Sequence, residues 1–254
     1  MLGAIIGDMV GSVYEWANIK TTDFPFFQPT CFFTDDSVLT VATAKALLSG
    51  MGYTQAYQDF ARRYPGRGYG GNFQYWIYRD DPQPYNSWGN GSAMRVSPVG
   101  FAFDSLEEVL DEAKRSAEVT HSHPEGIKGA QATAGAILLA RQGVSQPEMR
   151  AEIADRFGYK LDRTLDQIRP GYTFDVSCQG SVPEAIIAFI ESTGFEDAIR
   201  KAISLGGDSD TIACITGGIA EAYYGIPEDI AQQAYGYLPE EFIEIIQAFQ
   251  TRYM

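Results

Sequence analysis

Two short stretches of the chain combine paired carboxylates with hydroxyl groups, and such groups can bind a cation or move a proton. One is Thr34-Asp35-Asp36, near the start, and the other is Asp208-Ser209-Asp210-Thr211, near the end. Each opens an apolar helical pattern, so its carboxylates fall in a first helical turn, where free N–H groups and the helix dipole favour negative charge. One side chain is enough to cap such a turn. The surplus of acidic side chains therefore favours a bound cation.

The two stretches together have the donor atoms of one metal centre, if the fold brings them into contact. They would supply four carboxylates and two threonine hydroxyls, hard oxygen ligands that suit Mg²⁺, or Mn²⁺ as the alternative, better than zinc. Two ions about 3.5–4 Å apart would balance the charge, and they can orient diols or phosphates and activate water. We therefore predict a dinuclear magnesium site whose ligands are Thr34, Asp35, Asp36, Asp208, Asp210 and Thr211.

The acidic motifs, together with the glycine-rich start from Gly3 to Glu15, resemble the ADP-ribosylglycohydrolase family of the dinitrogenase-reductase-activating type. The likeness covers nearly the whole chain, in the family's order. It implies an all-α fold, two bound Mg²⁺ ions and hydrolysis of the N- or O-glycosidic bond between ADP-ribose and its acceptor. The substrate would be an ADP-ribosylated protein or a small ADP-ribose conjugate. A cognate ADP-ribosyltransferase is a further candidate partner.

The resemblance also implies a mechanism and its catalytic groups. The metals would bind the two hydroxyls of the distal ribose, and the bond would break through an oxocarbenium-like transition state. A glutamate after the run Gly7 to Gly11 lies beside the metals in some branches, which makes Glu15 a candidate contact for substrate or water. One free carboxylate would take the proton. The predicted catalytic residues are Glu15, Asp35, Asp36 and Asp208.

Substrate binding is assigned by the same resemblance. The run from Gly89 to Arg95 resembles the family's ADP-ribose-binding loop, and His121, after Thr120, matches a substrate-contacting histidine. From its residues alone, the loop could cradle a phosphate with backbone N–H groups or form a turn and a helix cap. Trp88 could stack on adenine or simply pack. The predicted substrate-binding residues are Asn86, Ser87, Trp88, Gly89, Asn90, Gly91, Ser92, Met94 and His121.

Apolar periodicity and capping signals predict helices throughout the chain and no strands. Residues 2–16 read as a helix with Gly3, Gly7 and Gly11 on one face, which predicts close helix–helix contact; its lone Asp8 is expected to be solvated. Further helices are predicted at 36–49, 54–64, 105–120, 126–142, 147–157, 184–192 with Pro183 in the first turn, 195–205, after Pro227, and at 240–253. Residues 19–33, 65–98 and 163–179 are predicted to be irregular. We predict a compact single-domain orthogonal bundle spanning residues 1–254, with the metal site at helix N-termini.

Composition excludes several classes of protein. A net charge of −14 argues against binding to a nucleic-acid backbone, and no apolar run reaches the roughly 20 residues that span a membrane. The three cysteines have no CxxC spacing, which argues against a zinc or disulfide framework and fits a reducing cytosol. The start has no basic segment typical of a signal peptide. We therefore expect a cytoplasmic protein that does not bind membranes.

Two other functions remain open on the sequence. A metal-dependent nucleotide phosphohydrolase would use the same oxygen cluster, and its products would include free phosphate. A non-catalytic relative would bind ADP-ribose without cleaving it. The intact acidic motifs favour an enzyme. The acceptor linkage, through arginine, serine or another group, is not readable from these residues.

Overall fold

The computed structural model describes residues 1–254 and consists of α-helices joined by loops, which confirms the predicted all-α fold. The helices are α1 (Leu2–Gly11), α2 (Asp35–Ser49), α3 (Tyr53–Arg63), α4 (Gly71–Ile77), α5 (Gly91–Met94), α6 (Ser97–Ala102), α7 (Leu106–Glu118), α8 (Pro124–Arg141), α9 (Gln146–Phe157), α10 (Leu165–Ile168), α11 (Cys178–Ile190), α12 (Phe195–Ile203), α13 (Ser209–Tyr224), α14 (Glu228–Tyr235) and α15 (Glu240–Tyr253). One isolated antiparallel bridge joins Gly89 to Ser177. None of the helices is long and apolar enough to cross a membrane.

Helices α1 and α13 cross in opposite directions with their backbones in contact, as the glycine spacing predicts. A β-carbon at Gly7 would lie 2.0 Å from the carbonyl oxygen of Ala213, and one at Gly3 would lie 2.4 Å from that of Gly217. No side chain fits at either glycine. The crossing therefore fixes the C-terminal end of α1 beside the N-terminal end of α13.

The alanine- and glycine-rich helix α8 runs through the centre of the bundle, where small residues let its neighbours approach. A β-carbon at Gly129 would lie 2.3 Å from Cys178 Sγ, on α11. On another face, Gly100 of α6 packs directly against Ile137. Most of the buried apolar side chains form one cluster of 65 residues. This continuous core holds the helix ends rigidly around the cleft described below.

The entrance to α13 is shaped by two successive glycines. Gly206 and Gly207 have φ angles of 70° and 75°, in the left-handed region that only glycine adopts without strain. The next residue, Asp208, occupies the N-cap position but makes no capping bond with its side chain. Its carboxylate is therefore free to point elsewhere.

Two predicted boundaries are wrong near the start and middle of the chain. Helix α1 ends at Gly11 instead of residue 16, because Asn18 Nδ2 donates to the carbonyls of Tyr14 and Glu15, at 2.7 and 2.9 Å, and stabilises a turn. Residues 65–98 are not irregular throughout. They contain α4 and α5 and the start of α6, which are too short for a helical period to be visible among the glycines and prolines.

The prediction that Pro183 opens a helix is also wrong. Helix α11 begins five residues earlier, at Cys178, because Ser177 Oγ accepts from Gly180 N at 3.0 Å and caps it. Pro183 has no N–H to donate to the carbonyl of Gln179. Gln179 is exposed, so water can take that place. The predicted irregular stretch at 163–179 likewise contains the short helix α10.

Candidate active site

A cleft of about 420 Å³ lies where the N-terminal ends of α2 and α13 meet. Both acidic stretches are on its wall, which confirms that the fold brings them together. A second wall, which we call the opposite wall, includes Ser87, Gly89, Asn90, Gly91 and His121. The cleft is of the size that small-molecule sites have, about 300–1,000 Å³.

Asp8 lies behind the acidic wall, next to Asp36 and Asp210 and fully buried, so the expectation that it is solvated is wrong. Its carboxylate accepts from Thr34 Oγ1 at 2.6 Å, from Thr34 N at 2.9 Å and from Ser37 N at 3.0 Å, and also from the Ser37 hydroxyl. Asp8 of α1 thus caps α2. Burial raises the pKa of Asp8 to about 6 against these hydrogen bonds. The overlooked signal was its place between two glycines on the packed face of α1.

The carboxylates form two overlapping groups. Asp8, Asp36 and Asp210 have oxygens within 4.8 Å of one another, and so do Glu15, Asp208 and Asp210. Asp210 belongs to both groups. The centre is therefore continuous, with one carboxylate shared between two clusters of oxygen atoms.

Asp36 is the one carboxylate of these two groups that has a buried oxygen without a hydrogen-bond partner. Its Oδ2 accepts from the hydroxyls of Thr34 and Thr211, both at 3.3 Å. Its Oδ1 is buried and has no hydrogen-bond partner. A buried, unpaired carboxylate oxygen is costly. This oxygen is the clearest sign that the protein alone does not complete the cluster.

The pKa values of the cluster show the same deficit of positive charge. Burial, followed by the charge of Asp8, raises the pKa of both Asp35 and Asp36 well above the ordinary range. Burial and Asp36 do the same to the pKa of Asp210. Burial and the nearby Asp208 raise the pKa of Glu15 to about 7. Carboxylates crowded in this way must hold protons or face a cation.

The donor set fits a hard cation, because every candidate ligand atom is an oxygen and neither group contains histidine or cysteine. Of the predicted metal ligands, Asp36, Asp208 and Asp210 lie in the groups. Asp35 is on the cleft wall but outside them, and its N–H donates to Arg67 O at 2.8 Å. The Thr34 hydroxyl contacts Asp8 and Asp36, and that of Thr211 contacts Asp36. Both threonines thus position carboxylates.

The predicted substrate-binding residues divide into two sets. Ser87, Gly89, Asn90, Gly91, Met94 and His121 line the cleft. Asn86 and Trp88 are exposed beside it, and Ser92 is buried behind it, donating to Gly126 O at 2.7 Å. Asn90 Nδ2 donates to Asp208 Oδ2 at 2.6 Å. This bond connects the loop directly to the acidic wall.

His121 packs its ring against the glycine loop. A β-carbon at Gly91 would lie 3.1 Å from His121 Nε2, so a larger residue there would press against the ring. Burial, and then the charge of Arg95, lowers the pKa of His121 well below its ordinary value. The ring is therefore neutral. Its neighbour His123 instead caps α8, accepting from Glu125 N at 3.1 Å.

Two aromatic residues at the mouth of the cleft were not predicted. Trp16 is 81% exposed and stacks on Phe174, with ring centroids 5.2 Å apart. Both line the opening. Because Trp16 directly follows Glu15, the sequence does indicate that Trp16 lies near the site. Nothing in the sequence connects Trp16 to Phe174, far along the chain.

The fold and the cleft can now be compared with known proteins. The chain matches the model of the ADP-ribosylglycohydrolase family over residues 1–253. It is similar to the mouse ADP-ribosylhydrolase ARH3, with 31% identity over 93% of this chain and 86% of the relative. It is also similar to the ADP-ribosylarginine hydrolase Tri1 of Pseudomonas putida, with 27% identity over 89% of this chain and 70% of the relative.

A solved structure agrees with these matches. The structure described as an ADP-ribosylglycohydrolase-related protein complex has a TM-score of 0.73 and 25% identity, and the match covers 100% of this chain and 97% of that one. The chain therefore belongs to the ADP-ribosylglycohydrolase family. As a member, it is a glycosyl hydrolase that acts on ADP-ribose conjugates.

Proposed function

We propose that this enzyme is a Mg²⁺-dependent ADP-ribosyl hydrolase that uses two metal ions, with Mn²⁺ as the alternative, and reverses ADP-ribosylation. The observation that carries the proposal is the pair of overlapping carboxylate groups with a buried, unpartnered oxygen on Asp36. We also propose that residues 1–254 act as one domain. Three free cysteines are compatible with a reducing, cytoplasmic setting.

Each acidic residue has a proposed task. Asp36, Asp208 and Asp210 would hold the cations, with Asp35, Thr34 and Thr211 as further ligands once the site is filled. Bound divalent cations supply positioning of substrate oxygens and acidification of water. Glu15 is half-buried with a pKa of about 7, which suits a general base near neutral pH. It would accept the proton of the water that attacks the anomeric carbon.

The opposite wall would bind the ADP part of the substrate. In the loop from Ser87 to Gly91, the N–H groups of Ser87, Gly89 and Asn90 donate within the protein, so those of Trp88 and Gly91 would serve the diphosphate. His121, neutral and buried, would bind a substrate oxygen without adding charge. Trp88, about half exposed beside the cleft, would stack on adenine. The substrate is an ADP-ribosylated protein or a small ADP-ribose conjugate, and a transferase that makes it would be the cognate partner.

The test is release of ADP-ribose from arginine- and serine-ADP-ribosylated peptides, measured with Mg²⁺, with Mn²⁺ and with EDTA. We expect release that requires the metal, and the peptide that is cleaved identifies the acceptor. The variant Asp210→Asn should be inactive, whereas Asp111→Asn, on the exposed face of α7, should match the wild type. Undiminished release in EDTA would refute the metal role. Free phosphate as the product would favour a phosphohydrolase.

A further inference from the structure

Arg95 is a fully buried arginine without an acidic partner. It follows the glycine loop, and its guanidinium lies over the ring of Tyr57, 4.2 Å from the centroid. None of its nitrogens forms an ion pair, and Nε and Nη1 have no hydrogen-bond partner. Burying a guanidinium in this way is costly. A residue kept at such a cost, on the wall of the cleft, needs an explanation beyond packing.

The two bonds of Arg95 point to its neighbour in the cleft. Nη2 donates to Ser116 O at 3.0 Å and to Thr120 Oγ1 at 2.8 Å. Thr120 Oγ1 is in turn 2.7 Å from His121 Nδ1. The contacts form a continuous chain from a buried cation, through one hydroxyl, to the imidazole ring. Arg95 and His121 both line the cleft.

The chemistry of the three groups determines which atom donates in each hydrogen bond of this series. Arginine only donates, so Thr120 Oγ1 accepts from it, and the single hydroxyl proton of Thr120 is left to point away from the cation. Nδ1 of His121, 2.7 Å from Thr120 Oγ1, can accept this proton. The three dipoles then align with their negative ends toward Arg95, an arrangement in which successive hydrogen bonds strengthen one another. In a neutral imidazole, the other nitrogen then carries the proton.

We propose that Arg95, acting through Thr120, holds His121 as the Nε2–H tautomer, so that the ring donates a hydrogen bond to an oxygen of the bound substrate. The Nε2 edge is the side that faces Gly91 and the cleft. Arg95 and Thr120 are positioning residues, since they act through His121. Only the destination of the bond, an anionic or hydroxyl oxygen of the ADP-ribose group, rests on the proposed function.

The tautomer can be measured directly on the free, full-length protein. With ¹⁵N-labelled histidine, long-range ¹H–¹⁵N correlations of the imidazole ring distinguish Nε2–H from Nδ1–H. The variant His123→Asn assigns the two rings and retains a side chain able to cap α8. We expect the Nε2–H pattern for His121 at neutral pH. An Nδ1–H pattern, or a charged ring, would overturn the proposal whether or not the protein hydrolyses any substrate.

Two substitutions of Thr120 test whether the hydrogen bonds through its hydroxyl determine the tautomer of His121. Thr120→Val removes the hydroxyl at nearly constant volume, and Thr120→Ser keeps it. We expect a mixture of tautomers and about tenfold weaker ADP-ribose binding, by calorimetry, in the valine variant, as for loss of one charge-assisted hydrogen bond. The serine variant should keep both the Nε2–H tautomer and the wild-type affinity for ADP-ribose. A valine variant that keeps the Nε2–H pattern would contradict the role of Thr120, and so would a serine variant that folds but loses it.

Discussion

The two walls of the cleft are both buried and polar, yet they differ in how their buried charges are compensated. The histidine wall, defined by Asn90, Arg95, Thr120 and His121, contains one buried cation. Hydrogen bonds run from Arg95 through Thr120 to His121, although Nε and Nη1 of Arg95 have no partner. The acidic wall, defined by Asp8, Glu15, Asp36, Asp208 and Asp210, holds two groups of three carboxylates whose oxygens lie within 4.8 Å of one another, and it leaves Asp36 Oδ1 unpartnered. The comparison indicates that the first wall contains its own positive charge, whereas the second requires positive charge from outside.

The largest expected effect comes from the acidic wall. Asp36→Asn removes the carboxylate with the unpartnered oxygen, so we expect a loss of turnover on the order of 1,000-fold, as for several kcal/mol of metal-derived stabilisation. Without metal, the same variant should be more stable than the wild type, because asparagine is neutral without having to bind a proton on folding. Steady-state kinetics and urea unfolding in EDTA measure the two effects. Lower stability of the variant without metal would contradict the contrast between the walls.

The second prediction concerns the helix crossing beneath the acidic wall. Gly7→Ala forces a β-carbon to within 2.0 Å of Ala213 O, so α1 must separate from α13. We expect a loss of about 3 kcal/mol or more in the free energy of unfolding, the upper part of the range for overpacked cores. Gly52→Ala is the matched control, because its β-carbon has no atom within 4 Å. Equal unfolding midpoints for the two variants would refute the close contact.

The third prediction is a pH dependence confined to the acidic wall. The folded protein raises the pKa of Asp8 from 3.8 to about 6 and that of Glu15 from 4.5 to about 7. A raised pKa means that the folded state binds protons more tightly, so its stabilising contribution is lost as pH rises through these values. In EDTA, the free energy of unfolding should therefore fall between about pH 4 and pH 7. Mg²⁺ should reverse the fall at the upper end, and Glu15→Gln should reduce it.

The smallest effect is expected at the mouth of the cleft. Trp16 is 81% exposed, so Trp16→Ala should change the free energy of unfolding by less than about 0.5 kcal/mol. With a peptide substrate, KM should rise a few-fold through lost stacking, while kcat stays constant. Tyr75→Ala, 78% exposed and not among the residues that line the cleft, is the control. An equal rise in KM for both variants would remove Trp16 from the substrate-binding surface.

Local patterns in the sequence predicted the carboxylates that line the acidic wall better than the buried residue that positions them. Asp36, Asp208 and Asp210 stand out because paired carboxylates at a helix entrance exceed what a helix needs. Asp8 was misjudged, because its burial depends on the ends of α1 and α2 meeting in space, and a single helical pattern cannot show this. The helix at Glu240–Tyr253 was predicted to the residue, since a long amphipathic period with a proline before it leaves little ambiguity.

The histidine wall was predicted only in outline. The family resemblance pointed to the glycine loop and His121, and six of the nine predicted residues line the cleft. The sequence could not show that Arg95 is buried or that it reaches Thr120, because these contacts join α5's C-terminal end to the end of α7. Likewise, the stack of Trp16 on Phe174 joins two loops that share no local pattern.

The hydrogen bond from Asn90 to Asp208, 2.6 Å long, is the point where the two walls touch. A ligand that orders one partner would also restrict the other, and binding on the two walls would then be thermodynamically linked. Linkage is reciprocal: if a cation at Asp208 strengthens nucleotide binding at the loop, the nucleotide strengthens cation binding by the same factor. The enzyme would then retain its cations most firmly when substrate is present, and loss of one ligand would promote release of the other.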